Sequence, residues 1–170
     1  MTDLSLAIMA ETPADAAAIE RLHERTFGPG RFARTSYRIY EKMAHCLALS
    51  FTARIGTLLV GSVRLTPIRI GETAALLLGP LTIEPPFRGR GIGRALIERV
   101  LAAARGKGHR LVVLMGDQSY YGKSGFRPIA KGLVTMPMPI DPDRLLVAEL
   151  AEAAFAGVAG PVRPDWEGAM

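Results

Sequence analysis

The apolar positions of this chain fall into short runs and one long helical stripe, and their order predicts a layered arrangement of strands and helices. Residues 4–10 read as a short strand. Thr12 and Pro13 with Asp15 close behind mark a helix start, because threonine caps, proline suits the first turn and an early acid complements the positive end. The helix that follows directs Ala16, Ala17, Ile19 and Leu22 toward a core and stops near Gly28, Pro29 and Gly30. A second helical stretch covers 34–42, with few apolar positions.

Three strand-like runs come next, at 46–53, 57–70 and 73–83, separated by Gly56 and by Gly71 with Glu72 as hairpin turns would be. The third reads TAALLLGPLTI and carries Gly79 and Pro80 in its middle. Proline cannot donate to a sheet ladder, so this strand must bulge or lose a neighbour there, freeing backbone groups for another partner. Residues 91–105 then place Ile92, Ala95, Leu96, Val100 and Ala103 at helical spacing. A fully apolar run at 111–115 has the character of a strand buried on both faces in a parallel pair. Strand, helix and strand in that order make one βαβ unit. Residues 132–138 read as a further strand. Asp141, Pro142 and Asp143 read as the start of a late helix with Leu145, Leu146 and Leu150 on its apolar face. No repeat, linker or second domain is visible, so 1–170 is expected to be one domain.

Composition narrows the function classes. A chain of 170 residues with 49% hydrophobic and 22% charged residues is globular rather than disordered. Cys46 is the single cysteine, which excludes an internal disulfide and any CxxC site and reads as a small buried hydrophobe. With an acidic residue near the start and no apolar run as long as a membrane span, the expectation is a soluble cytoplasmic protein without a membrane partner. A net charge of +5 admits nucleic acid, an acidic surface or a polyanionic small ligand. The arginines are scattered and aromatics are only 6%, so no nucleic-acid-binding face stands out.

The candidate chemistry lies in FRGRGIGRAL, residues 87–96. A glycine-rich turn between strand and helix lets backbone N–H groups approach a phosphate beside the positive end of the helix. The dinucleotide fingerprint G-x-G-x-x-G fails, because counting from Gly89 the last position is Arg94 and no acid follows about 20 residues on. The P-loop pattern fails at Gly122–Lys123–Ser124, because Asp117 stands where its first glycine belongs. Arg88-x-x-Gly91-x-Gly93 instead matches the R/Q-x-x-G-x-G/A loop of the GCN5-related N-acetyltransferases (GNAT). Residues 76–126 resemble the central βαβ region of that family. The run GPL…RGRGIGRALI…HRLVVLMGD…YYGKSGF is similar to its small YhbS-like bacterial subgroup. The match is dense over the middle third and looser at both ends.

The resemblance implies a GNAT fold: a mixed α/β architecture whose central mixed sheet has splayed parallel strands flanked by helices. It implies a core over 4–131 and a segment 132–170 completing the acceptor side. The implied activity is transfer of an acetyl group from acetyl-CoA to a primary amine, by direct attack in a ternary complex and without a metal. Its alternative is a CoA-binding sensor or scaffold of the same fold that has lost catalysis. Main-chain groups of Leu81, Thr82 and Ile83 would pair with the pantetheine arm, and Arg88, Gly89, Arg90, Gly91, Ile92, Gly93 and Arg94 would hold the pyrophosphate. Arg90 and Arg94 read equally as solvated helix charges. Ser119 would touch the pantetheine or cap a turn. Tyr121 matches the family tyrosine that protonates the departing thiolate, or it is a packing aromatic; Tyr120 beside it is read as packing. Gly125 and Phe126 read as turn and core anchor. Glu84, on a solvent-facing turn before Pro85 and Pro86, His23, on an exposed helix face, and Asp117, which reads equally as a cap for the following turn, are the candidates for a base, and none is assigned. Dimerisation is common in the family, so a homodimer is an open expectation, and the acceptor amine is unidentified.

Overall fold

The computed structural model describes residues 5–28 and 44–165. Strand β1 (Leu6–Ala10) pairs antiparallel with β2 (Phe51–Ile55), and β2 with the long β3 (Leu58–Ile70). Two-residue turns at Gly56–Thr57 and Gly71–Glu72 join β2 to β3 and β3 to β4 (Thr73–Ile83), as the sequence leads one to expect. The first helix begins as a 3-10 turn at Pro13–Asp15 and continues as α1 (Ala16–Phe27). Thr12 N–H donates to the Asp15 carboxylate at 2.8 Å, which fixes that start. Ala16 and Ala17 are exposed, and the buried face of α1 is formed by Ile19, Leu22 and His23. The expected helix at 34–42 lies outside the described residues.

Helix α2 (Ile92–Gly106) crosses back to β5 (Leu111–Met115), which lies parallel to β4. Its buried stripe, including Leu96, Ile97, Val100 and Leu101, packs on Ala53, Val63, Leu65, Leu76 and Leu78. Burying each large aliphatic side chain contributes about 1.5–3 kcal/mol, so this layer dominates the core. A short helix α3 (Gln118–Tyr121) leads into β6 (Arg127–Pro128). Of the strand expected at 132–138, β7 covers Val134–Thr135.

The late helix does not form. Asp141 accepts from Asp143 N–H at 2.9 Å, so the capping signal is used up in one 3-10 turn at Pro142–Arg144. Residues that sequence reading assigned to a helix become β8 (Leu145–Glu149), inserted antiparallel between β5 and β6. Both faces of β8 are buried, so its apolar run shows no alternation, and a run of that kind is ambiguous between strand and helix. The main sheet runs β1-β2-β3-β4-β5-β8-β6, with β9 (Gly160–Pro164) pairing with the far end of β3 and with β7. Cys46 is half-buried against the core rather than fully enclosed.

Candidate functional site

The site begins where a parallel pair stops. β4 and β5 are in register only at Leu76↔Val112 and Leu77↔Val113. Beyond Leu77, β4 continues to Ile83 while β5 ends at Met115, and the two diverge. On the other side of β4, Leu78 faces Leu65 and Leu81 faces Val63, so Gly79 and Pro80 together oppose Arg64 alone. That is the bulge expected from the proline.

Main-chain directions follow from one hydrogen bond. Glu84 N–H donates to Val60 O at 2.8 Å, so even-numbered residues at this end of β4 turn their backbone toward β3. Leu81 and Ile83, by the two-residue period of a strand, turn theirs toward the gap that β5 leaves open. Both line a cleft of about 600 Å³. Thr82 does not: its backbone faces β3 and its side chain is buried on the opposite face of the sheet.

The glycine loop closes one end of the cleft. Pro85–Phe87 make a 3-10 turn, and α2 starts from Gly91, whose φ of +80° is open to glycine and strained for other residues. Arg88, Gly89, Gly91, Ile92, Gly93 and Arg94 all line the cleft. Arg90 is not among the lining residues, and its guanidinium lies 5.1 Å from the Phe87 ring centroid. Arg94 reaches Glu98 one turn along the helix at 3.2 Å. Ser119 is exposed and outside the lining.

Both tyrosines face the cleft. The Tyr121 ring lies edge-on to Phe126, with centroids 6.0 Å apart, and edge-on to Tyr120 at 4.9 Å. Gly116 lets it sit there, since any Cβ at that position would collide with the ring. Burial, the neighbouring Tyr120 and Asp117 outweigh the opposing charge of Arg144 and push the Tyr121 phenol up to about 12. It is therefore protonated across the physiological range. The Tyr120 hydroxyl comes up against Gly93 at the first turn of α2. Sequence reading gave Tyr120 a packing role only, and the missed signal is the absent side chain at Gly93 opposite it.

The three base candidates differ from expectation in their surroundings. Glu84 is not on a solvent-facing turn: its side chain is only 14% exposed and holds Arg25 through both oxygens, at 2.7–3.1 Å. Asp117 leaves its helix uncapped and instead accepts from Arg144 Nη1 at 2.6 Å. His23 is not on an exposed face but is 1% exposed beneath α1, tilted against Phe27. Thr26 and Phe27, at the end of α1, line the cleft's remaining wall together with Met115 and Arg144. Sequence reading gave no site role to Thr26, Phe27 or Arg144, because neither α1 nor the approach to β8 carries a motif, nor to Met115, which was read only as the end of an apolar strand. Among the described residues no group of three His, Cys, Asp or Glu side chains is placed to hold a metal, and no helix is long and apolar enough to cross a membrane.

Known proteins resemble this chain in sequence and in fold. Residues 48–128 match the family model for the acetyltransferase (GNAT) domain. The chain is 29% identical over 157 residues to the uncharacterized N-acetyltransferase YhbS of Escherichia coli K12, covering 91% of this chain and 93% of that one. The crystal structure of E. coli YhbS in complex with CoA superposes with a TM-score of 0.81 at 25% identity, over 97% of this chain and 92% of that one. A GNAT family acetyltransferase from Brucella melitensis, solved in complex with acetyl-CoA, is 32% identical, with a TM-score of 0.64 over 90% of this chain and 99% of its own. With the splayed β4–β5 pair, the glycine loop at the head of α2 and these relatives spanning nearly its whole length, the chain belongs to the GNAT acetyltransferase family.

Proposed function

We propose that this protein transfers the acetyl group of acetyl-CoA to a primary amine by direct attack, with both substrates in the cleft at once. The observation that carries the reading is the convergence of three features on one cleft: the open main-chain edge at Leu81 and Ile83, the glycine loop and Tyr121. The backbone N–H groups of the loop, at the positive end of α2, suit the pyrophosphate, with Arg88 and Arg94 adding charge. Thr82, Ser119 and the Arg90 side chain are given no part in this reading, since none of the three residues lines the cleft. The edge of β4 offers hydrogen bonds of the kind an added strand would make, which suits the amides of the pantetheine arm.

Bound in that way, acetyl-CoA supplies an activated thioester. An N–H on the β4 edge polarises its carbonyl as charge gathers on the oxygen. Tyr121 donates its O–H to the sulfur as the carbon–sulfur bond lengthens. The shift of its phenol to about 12 keeps that proton in place until negative charge builds on the sulfur. The acceptor loses its proton outside the Tyr121 step, and Glu84 and Asp117, each engaged by an arginine, are not assigned to receive it.

Calorimetric titration with acetyl-CoA tests the donor site. Wild type is expected to bind, and Gly91→Glu, which brings strain, bulk and negative charge into the loop, is expected to lose binding while circular dichroism stays native. Absence of binding to the wild type would overturn the reading. Tyr121→Phe is expected to keep CoA affinity and to lose about a hundredfold in turnover; unchanged turnover would remove the donor role.

A further inference from the structure

The loop and Tyr121 leave one strongly charged group of the cleft without a part, Arg144. It stands at the start of β8, where its carbonyl accepts from Gly116 N–H at 2.8 Å. Sheet order sets it on the wall opposite the glycine loop, because the loop follows β4 whereas β8 lies beyond β5. Arg144 lines the cleft, its side chain is 49% exposed, and its charge acts on the Tyr121 phenol. Of the five N–H donors on a guanidinium, one, on Nη1, goes to a single oxygen of Asp117. The others have no protein partner among the described residues. A guanidinium binds a carboxylate best through two parallel N–H···O bonds, and the contact to an exposed aspartate leaves that geometry unused.

The rest of the cleft points the same way. A cationic substrate needs carboxylates to meet its ammonium groups. Glu84 spends both oxygens on Arg25, and Asp117 is held by Arg144. Among the described lining residues the charged side chains are Arg88, Arg94, Arg144 and Asp117. A polyamine or a lysine-rich tail would find one carboxylate among them, Asp117, already ion-paired to Arg144 and outnumbered by three arginines. An amine that brings its own carboxylate would find Arg144 on the same wall as Tyr121, which follows Asp117 by one turn of α3.

We infer that Arg144 anchors a carboxylate of the acceptor, and that the acceptors are small amines with a carboxylate close to the amino group, as in α-amino acids. The inference rests on the acetyl-transfer reading, and it assigns Arg144 no share in holding the donor. Binding then sets the amino group toward the β4 edge and Tyr121 while the carboxylate stays on the β8 wall. Asp117 is a competitor for the same guanidinium, displaced or shared when the acceptor enters.

The test uses the full chain saturated with CoA, which cannot turn over, titrated calorimetrically with α-amino acids and with their carboxamides. At least one amino acid is expected to bind about tenfold or more tighter than its carboxamide, the size of a charge-assisted hydrogen bond. Arg144→Gln is expected to erase that difference without changing CoA affinity, Arg144→Lys to restore part of it, and Asp117→Asn to enlarge it. Equal binding of acid and amide, absence of binding by either, tighter binding of spermidine, or a loss of CoA affinity in Arg144→Gln would each overturn the inference while leaving the donor site standing. Failure of CoA itself to bind would instead overturn the transfer reading on which it rests.

Discussion

The two faces of the sheet are built on different terms. Toward α2, Phe51, Ala53, Val63 and Leu65 meet Leu96, Ile97 and Val100 in an apolar layer. Toward α1, the apolar share is small, with Ile19, Leu22 and Leu59 at its centre. The strand positions between the α2-facing residues turn the other way, and there Thr52, Ser62 and Thr82 stand side by side across β2, β3 and β4. Directly opposed residues on neighbouring strands bring their Cβ atoms to about 4.5–5.5 Å, so these hydroxyls form a row. Their oxygens, and that of Thr26, are buried without a hydrogen-bond partner among the described residues. On this same face Glu11, 2% exposed at its side chain, accepts from Arg64 at 3.0 Å and pairs with His45 at 2.6 Å. The face toward α2 is made for cohesion. The other is divided. Along the far end of β3 and along β4, β5, β8 and β9 it holds a second apolar cluster that includes Ile68, Ile70, Leu77, Val113 and Val147. Beside α1 it carries polar groups that cohesion alone would have excluded, on the side where that helix ends in the cleft.

Three changes sharpen this contrast, and the largest effect belongs to the apolar face. Leu96→Ala, at a side chain with no exposure, is expected to cost about 3–4 kcal/mol in chemical denaturation, through lost burial and the cavity left behind. A loss below about 1 kcal/mol would mean that the α2 layer is not the dominant one.

Next comes the ion cluster under α1. Burial alone would raise the Glu11 carboxyl, but hydrogen bonds from His45 and Arg64 and the charge of Arg64 outweigh it and hold the group below the usual carboxylate range. A carboxyl depressed in the folded state adds stability above its unfolded pKa, and that stability fades as pH falls through the folded value. Wild type should therefore lose melting temperature as pH drops below about 4.5. Glu11→Ala should cost about 3 kcal/mol at neutral pH, since it leaves Arg64 without its carboxylate, and should flatten the acid limb. An acid limb equally steep in the variant would place the linkage elsewhere.

The smallest effect has the opposite sign. Thr52→Val keeps the shape and removes a buried hydroxyl that lacks a partner, so it is expected to stabilise by about 1 kcal/mol. Destabilisation would show that the hydroxyl is served by a hydrogen bond after all, and the polar face would then be less costly than it looks.

Legibility in the sequence followed the same division. β3, β4, α2 and β5 were readable because hairpin glycines, a helical stripe and an apolar strand state their periods locally, and Pro80 announced the bulge. The glycine loop was readable because its constraint is on the backbone of adjacent residues. β8 was not, although its apolar run is like that of β5, because Asp141–Pro142–Asp143 in front of it begins a turn whether or not a helix follows, and a run without alternation fits either element. His23 and Glu84 were misplaced for another reason: their burial is imposed by contacts distant in sequence, α1 on the sheet and Arg25 on Glu84. Arg144 escaped notice because it reaches the cleft only through the pairing of β8 with β5.

The early end of the β4–β5 pairing has a consequence for self-association. An unpaired strand edge at the border of a sheet is a template for another chain and an aggregation hazard. Here the unpaired edge lies in the interior of the sheet, between β4 and the end of β5, with the head of α2 and the two tyrosines around it. Leu81 and Ile83 are the residues that turn their main chain to that edge, a stretch too short for a long ladder with a foreign strand. The molecule thus keeps open backbone groups for recognition while walling them off from the sheet-to-sheet growth that such groups invite.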